Sequence, residues 1–516
     1  GSLLITGSGG TSGPRNFGVF MSGGTVQTTA GGNIGVVGTA TLGSNFARGV
    51  SVGSSGQIRA TGGGNVALSG TAGAGSDVQG VRITNSSAIS TTAGAVQILG
   101  TLASGVTGAS SALQVDGGGS VSANGAISIE GNALGQTGAT GVVLGASSIG
   151  TSNNNPITIT TDSYTGSGTE TVSAGTGTLT IRNLSAGTRI NLGGADVLTG
   201  SPLTLGLADA ELDRITAGTL VIGRTGATAS GDMTISSAIS PALARNLTLQ
   251  AGGDIVANAS TGITTLANGN VVLNSDADGS GSGAIALSSN ISSNGGNITL
   301  GGGVAGDGSG NAVGSSTHIS GVRVFNGILN AGTGNISMRG LGGSNPVVKN
   351  YGVELIGISQ VLSSGGNIWV VGTGGGSPGS SDNDGVRIGD VTVRATGNGT
   401  INIQGTGGLG VGGNSDGVVI YTSQGLVETA SGDLTITGTG TGTGPGLDSD
   451  GIYLEGPTLR SAAGSIILNG TSGLSGLSDG VVIRQNSQVL ATSGGSIAIT
   501  GTGGGGLGGV AQGVYV

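Results

Sequence analysis

The sequence lacks cysteine altogether and has few charged or aromatic residues. With no cysteine among 516 residues, disulfide bonds and thiolate metal sites are excluded. Lys349 is the only lysine, and 16 Lys and Arg stand against 25 Asp and Glu, which gives a net charge of −9. Nucleic-acid binding needs basic residues clustered on one surface, so this balance argues against it. No run of 18 apolar residues occurs, and we therefore expect no membrane insertion.

Scarce histidine also limits the chemistry that the chain can perform. His318 is the only histidine, so a metal site built from several histidines is excluded, and a Ser-His-Asp triad would have one choice of base. The alternation of residues around His318 predicts that it faces solvent. We predict no catalytic residue, no cofactor-binding residue and no enzyme activity.

The chain is rich in glycine, and its 117 glycines follow a repeat of about 32 residues. In a first recurring element, glycine precedes an apolar, a variable and another apolar residue. This element begins at Gly49, Gly80, Gly321, Gly352, Gly385, Gly417, Gly451, Gly480 and Gly513. In a second element, glycine precedes a small or polar residue and then an apolar one. It begins at Gly32, Gly64, Gly94, Gly125, Gly334, Gly366, Gly399, Gly432, Gly464 and Gly495.

This repeat predicts an all-β fold built from stacked coils. Apolar residues alternate within each element, as in a strand with one buried face. Glycine and asparagine at the start of the second element are expected to supply the positive φ angles at which the chain turns. A short coil cannot bury its own apolar face, and stacking at a constant period buries it continuously. We predict a β-solenoid with about three strands per coil, a period near 32 residues and glycine-rich corner loops.

We predict one continuous solenoid domain over residues 1–516. Its predicted segments are 1–174 (wide coils), 175–300 (tighter coils, with one short helical insertion near 207–215) and 301–516 (regular wide coils). The insertion is expected to pack on the solenoid through Leu207, Leu212 and Ile215. The last repeat has no polar cap after it, which predicts a segment of a longer chain or a subunit that stacks end to end.

Four segments near the middle of the chain have distinctive sequences. They are Gly177–Ile181, Ile190–Asp196, Leu207–Leu220 and Gly296–Leu300. These segments resemble the passenger repeats of filamentous-haemagglutinin-type and autotransporter adhesins of bacteria. The resemblance implies a right-handed parallel β-helix that is secreted and displayed on the cell surface.

In four successive coils an aspartate directly precedes the first element, and in two of them a second aspartate stands two positions earlier. The candidate metal-ligating residues are Asp382, Asp384, Asp416, Asp448, Asp450 and Asp479. Stacked coils would place carboxylates about one strand spacing apart, where like charges repel each other. In one hypothesis they bind Ca²⁺, which prefers hard oxygen ligands. In the other they form turn corners and accept local backbone N–H bonds.

Uniform repeats, low charge and the family resemblance together predict an extracellular structural or adhesive rod on a bacterial cell surface. Its glycine-rich loops would make surface or cell contacts, and its partners would be other copies of itself or neighbouring surface and matrix components. One alternative is a self-assembling extracellular fibre or sheath subunit. Another is a β-helical polysaccharide lyase or hydrolase, which would need Asp, Glu and Arg side chains converging on one face.

Overall fold

Short strands form where apolar residues alternate with small or polar ones. In the strand Ile401–Thr406 the side chains of Ile401 and Ile403 are buried, while Asn402 and Gln404 are exposed. β-Branched residues suit such a half-buried, pleated surface. The same alternation recurs along the chain, so valine, isoleucine and leucine fill the interior of each coil.

The structure, a computed structural model, describes residues 1–10, 13, 15–40, 45–133, 136, 138–346, 349–410, 413–442, 448–474, 476–504 and 510–516. The chain divides into two units. The first comprises Gly1–Arg224 and Ile239–Leu247, and the second comprises Thr225–Ala238 and Thr248–Val516. Each unit is a parallel β-solenoid with three columns of strands. The described residues make about 16 turns with a period of about 31 residues, which confirms the predicted β-solenoid.

In the first unit, strands of the same column pair in parallel, coil upon coil. The first column contains Leu3–Ser8, Ile34–Ala40, Val66–Ala72, Val96–Leu102, Ile127–Asn132, Ile157–Thr161, Thr178–Arg182 and Ile215–Gly223. The second column contains Phe17–Ser22, Arg48–Gly53, Gln79–Ile83, Ser111–Val115, Thr140–Leu144 and Tyr164–Gly166. The third column contains Thr25–Thr28, Gln57–Ala60, Ala88–Thr91, Gly119–Ala123, Ser147–Thr151 and Thr171–Ser173. Arg189–Leu192 and Thr204–Leu207 form a further parallel pair.

The second unit repeats this arrangement. Its first column contains Val271–Ser275, Ile298–Gly302, Ile336–Leu341, Ile368–Thr373, Ile401–Thr406, Leu434–Thr439, Ile466–Thr471 and Ile497–Thr502, with the short strand Ala312–Val313 paired to Ile336–Leu341. The second column contains Met233–Ile235, Ile255–Ala257, Ile285–Leu287, Val322–Phe325, Val353–Ile356, Val386–Gly389, Val418–Tyr421, Ile452–Glu455, Val481–Arg484 and Val514–Tyr515. The third column contains Gly262–Thr264, Asn290–Ser292, Ile328–Asn330, Gln360–Ser363, Thr392–Ala395, Leu426–Thr429, Thr458–Ser461 and Gln488–Ala491. The strand Ala244–Gln250 has residues in both units.

One position in the first-column strands is a glycine in successive coils, and it lets two stretches of backbone approach closely. Gly372, Gly405 and Gly438 lie in register in successive strands. A Cβ atom at Gly405 would overlap the carbonyl oxygen of Gly417, which directly precedes the next strand of the coil. No larger residue fits there, so this glycine is required by packing between columns.

The start of the second element does not turn at positive φ, so that prediction is wrong. Neither Gly366 nor Asn367 adopts a positive φ. A Cβ atom at Gly366 would instead overlap the carbonyl oxygen of Gly334 in the preceding coil. The side-chain oxygen of Asn335 accepts the N–H of Asn367 at 2.8 Å, and that of Asn367 accepts the N–H of Thr400 at 2.9 Å. The asparagines therefore form a ladder that links successive coils.

Among the described residues there is one helix, Asp209–Leu212, within the segment expected to be a helical insertion. Leu207, Leu212 and Ile215 are buried, as expected from their apolar character. No helix in the described part of the chain has both the length and the apolar character needed to cross a bilayer.

Candidate functional site

The predicted aspartates form a column in the second unit, and we call Asp384, Asp416, Asp450 and Asp479 the aspartate column. Each stands two residues before a second-column strand, and these strands pair in register. Oδ1 of Asp384 accepts the backbone N–H of Asp416 at 3.3 Å. Oδ1 of Asp416 accepts that of Asp450 at 2.6 Å, and Oδ1 of Asp450 accepts that of Asp479 at 2.7 Å. Each carboxyl group thus bonds the backbone of the next coil.

Burial makes three members of the column difficult to ionise. Asp384, Asp416 and Asp450 are 1%, 9% and 3% exposed. Burial raises the pKa of Asp384 to about 6, although the charge of Arg387 opposes this shift. Burial also raises the pKa of Asp450 to about 7. Burial first, and then the charges of Asp384 and Asp450, raises the pKa of Asp416 well above its usual value. These three carboxyl groups therefore bind protons at a higher pH than ordinary aspartates do.

A cleft of about 310 Å³ opens over the aspartate column. Arg387 donates to Oδ2 of Asp384 at 2.9 Å, and its guanidinium carbon lies 4.5 Å from the ring centre of Tyr421. Arg484, which also lines the cleft, stacks in the same way at 4.6 Å from the ring centre of Tyr453. Stacking on aromatic rings and pairing with acids fix both arginine side chains, because the ring face attracts the cation.

The structure brings five of the six predicted metal-ligating residues to this cleft. They are Asp382, Asp384, Asp416, Asp448 and Asp450. Asp479 continues the aspartate column but does not line the cleft. Among the described residues, no three Asp, Glu or His side chains form a group that could hold a metal ion. Successive members of the column lie one coil apart, and an N–H of the next coil occupies one oxygen of each. Calcium binding stays a prediction.

The alternative hypothesis, that these carboxyl groups accept local N–H bonds at turn corners, needs a correction. The acceptor function is present, but the donors of the bonds described above belong to the next coil and lie 29 to 34 residues away. The glycine that follows each aspartate is needed for space: a Cβ atom at Gly417 would overlap the backbone nitrogen of Thr439. The column therefore holds coils together instead of shaping single turns.

His318 is less exposed than the sequence predicts. Its side chain is 27% exposed, and Nδ1 is 2.8 Å from Oδ2 of Asp254. Asp254 also accepts bonds from the N–H of Ala284 and the hydroxyl of Ser315. Burial opposes ionisation of Asp254, but these hydrogen bonds, with that of His318 foremost, hold its pKa below the usual value. The two residues are 64 positions apart, or two periods, so the repeat itself was a signal that could have connected them.

The residues around His318 form a second cleft that sequence reasoning missed. His318 and Lys349 line a pocket of about 270 Å³ with Arg323, Tyr351 and Glu354, and we call it the His318 pocket. Nε of Arg323 donates to Oε2 of Glu354 in the next coil at 2.8 Å. These side chains come from different coils, so only stacking brings them together.

Acidic residues of the first unit also bond to neighbouring groups. Arg214 donates to Oε1 of Glu170 at 2.7 Å. Asp196 accepts the backbone N–H groups of Tyr164 and Gly206 at 2.9 and 2.7 Å, and burial raises its pKa to about 7. Their bonding oxygens hold the backbone around the helical insertion, which indicates a structural role.

None of the protein-family models, curated proteins or solved structures compared with this chain matches it. What the structure establishes is therefore the fold: an all-β parallel solenoid whose polar side chains stack from coil to coil.

Proposed function

We propose that the chain is a non-catalytic structural and adhesive segment of a bacterial cell-surface protein of the filamentous-haemagglutinin type, acting outside the cell. One observation carries the proposal: polar side chains bond from coil to coil along the chain. This use of polar groups is typical of a scaffold whose function is mechanical and collective.

Three kinds of coil-to-coil link support this function. The aspartate column and the asparagine ladder both pair side-chain oxygens with the backbone of the next coil. A third link is ionic, because Glu428 accepts bonds from Arg394 and Arg460 in the coils on either side, at 2.8 and 2.9 Å. Such links resist local opening, which favours survival among extracellular proteases.

The loops between columns supply contact surface. Leu409 and Leu474 lie in glycine-rich loops of the second unit and are 70% and 68% exposed. Loops on a rigid scaffold tolerate variation and commonly carry binding. Exposed leucines on such loops favour contact with another surface.

Location is tested by protease treatment of intact cells that express the native protein. We expect protease to remove or trim this chain while a cytoplasmic marker protein stays intact. Protection of the chain until the cells are lysed would contradict the surface location.

Adhesion is tested with loop variants on the same cells. The substitutions Leu409→Ser and Leu474→Ser should together lower attachment to a host-cell or abiotic surface at unchanged display level. Leu266→Ser, at an exposed leucine outside these loops, is the matched control. Equal attachment by the loop variant, the control and the unmodified protein would count against adhesion through these loops.

A further inference from the structure

The His318 pocket contains a basic side chain, that of Lys349, for which the coil-to-coil bonds described above give no explanation. Only 8% of the residues are charged and the net charge is −9, yet the only histidine, the only lysine and Arg323 line the same pocket. All of these residues belong to the second unit. Elsewhere in this unit Arg394 and Arg460 pair with Glu428 of the coil between them, whereas Lys349 has no ion pair with any described residue.

His318 is oriented in this pocket by one ring nitrogen. Nδ1 bonds to Asp254, and Asp254 is itself fixed by Ser315 and by the N–H of Ala284. Nε2 makes no hydrogen bond with a described residue, and the side chain is partly exposed. Because Asp254 takes Nδ1, Nε2 is the ring nitrogen that a ligand in the pocket can reach.

The remaining charges decide what kind of ligand fits. The charges of Arg323 and Glu354, which form an ion pair, cancel each other within the pocket. Lys349 therefore supplies the uncompensated positive charge. Glu354 repels a doubly charged phosphate group more strongly than a singly charged carboxylate bound at Lys349, so a carboxylate fits better. Oε2 of Glu354 takes the bond from Arg323, and Oε1 has no partner among the described residues. A free carboxylate oxygen of this kind accepts hydrogen bonds from ligand hydroxyl groups.

Size restricts the ligand further. The pocket volume of about 270 Å³ lies just below the roughly 300–1,000 Å³ of sites for drug-sized ligands. The volume suits one sugar unit, and the lining includes the polar residues Ser320 and Tyr351.

We propose that the His318 pocket binds a carboxylate-bearing sugar, a uronic acid unit, with its carboxylate at Lys349 and its hydroxyl groups at Glu354 and at Nε2 of His318. This inference goes beyond the scaffold function and does not depend on where the protein is located, since it concerns the purified chain. A small free carboxylate such as acetate has the same carboxylate group but lacks the hydroxyl groups of a sugar. The test therefore compares the two kinds of ligand.

The single histidine makes the binding experiment specific. In the purified chain, His318 gives the only imidazole signals in a proton NMR spectrum, so no assignment is needed. At constant pH, glucuronate should shift these signals along a saturating curve. Glucose, which lacks the carboxylate, should leave them unchanged, and acetate should require at least about a tenfold higher concentration.

Variants test which residues carry the binding. Lys349→Gln should weaken glucuronate binding by about 10- to 100-fold, as expected for losing a charged hydrogen bond. Lys349→Arg keeps the charge and should bind within about threefold of the unmodified chain. The matched control is Arg339→Gln, which removes an exposed cation that does not line the pocket, and it should bind normally.

Several results would overturn the proposal. These are the absence of a saturating shift with glucuronate, an equal response to glucose, or equal losses in Lys349→Gln and Arg339→Gln. Acetate binding as tightly as glucuronate would overturn the assignment to a sugar. Circular dichroism of each variant confirms that the compared proteins are folded.

Discussion

At the scale of single residues, this protein uses glycine and aspartate for close contact between backbones. Gly405 stands where a Cβ atom would overlap the carbonyl oxygen of Gly417, and Asp416 reaches the backbone of the next coil at 2.6 Å. Both residue types are common in loops, where they usually supply turns. Here glycine is small enough for two backbones to approach closely, and aspartate supplies an acceptor oxygen to the backbone of the next coil. Both properties allow successive coils to stack.

The substitution Gly405→Ala should destabilise the second unit by about 1–3 kcal/mol, because the added methyl group forces the two backbone segments apart. Trp369 is the only tryptophan, and it lies opposite Asn402, a residue of the strand that contains Gly405. Its fluorescence therefore reports urea unfolding next to the substituted position. The matched control is Gly379→Ala, where an added Cβ atom meets nothing within 4 Å. Equal urea midpoints for both variants would contradict the packing argument.

Asp416 offers a test of the buried carboxyl groups. Asp416→Asn keeps the acceptor for Asp450 but cannot ionise, so it should raise the melting temperature at pH 8 more than at pH 5. Asp416→Ala leaves the N–H of Asp450 unpaired and should cost about 1–3 kcal/mol at both pH values. The control is Asp390→Asn at an exposed aspartate, which should leave the melting temperature unchanged at both pH values. A destabilised Asp416→Asn at pH 8 would show that the native chain needs the charge.

At the scale of elements, each strand is too short to be stable alone, and lateral stacking supplies its partners. Strands such as Val386–Gly389 and Val418–Tyr421 have four residues each, yet every one pairs in parallel with strands of adjacent coils. Coil length varies without loss of register: Ile157 pairs with Leu179 across 22 residues, and Val271 pairs with Ile298 across 27. The loops absorb the difference while the strand columns stay aligned.

The asparagine ladder should protect the start of each first-column strand. Asn367→Ala removes the acceptor for the N–H of Thr400 and should cost about 1–3 kcal/mol. We expect faster hydrogen exchange at the amide of Thr400, measured by mass spectrometry of its peptide, with little change in distant coils. Asn402→Ala, an exposed asparagine in the following strand, is the control. Unchanged exchange at Thr400 would show that the ladder contributes little.

At the scale of the whole chain, some carboxyl groups lie on the surface and others lie in the interior. The net charge is −9, and some of the carboxyl groups lie buried in both units. Burial raises the pKa of Asp196 and of Asp450 to about 7 each. A raised pKa means that the folded chain binds more protons than the unfolded chain, so stability is fully present below the ordinary aspartate pKa and is lost as pH rises through about 6–7.

We therefore expect the melting temperature to fall between pH 5 and pH 8, measured by circular dichroism. The transition is compared as a midpoint, because long repeat arrays need not unfold in two states. A melting temperature that rises over this range would contradict the assignment of protonated buried carboxyl groups.

Calcium gives the whole chain an independent test. If the aspartate column binds calcium, as one of the two hypotheses predicts, millimolar calcium at pH 8 should raise the melting temperature, and the rise should disappear in Asp416→Asn. An unchanged melting temperature would contradict calcium binding by the column.

The sequence alone determined the fold class, because each short strand had to bury an alternating apolar face and a constant period allows only stacking. It also located the aspartate column, since residues one period apart must lie in adjacent coils. The close approaches at Gly405 and Gly366 were decided by tertiary structure, because backbone contact between columns leaves no pattern beyond glycine itself. Tertiary structure also decided the His318 pocket. Spacings of about one and two periods place Lys349 and Asp254 in coils near that of His318. Only the folded loops, whose lengths differ from coil to coil, turn these side chains toward one another.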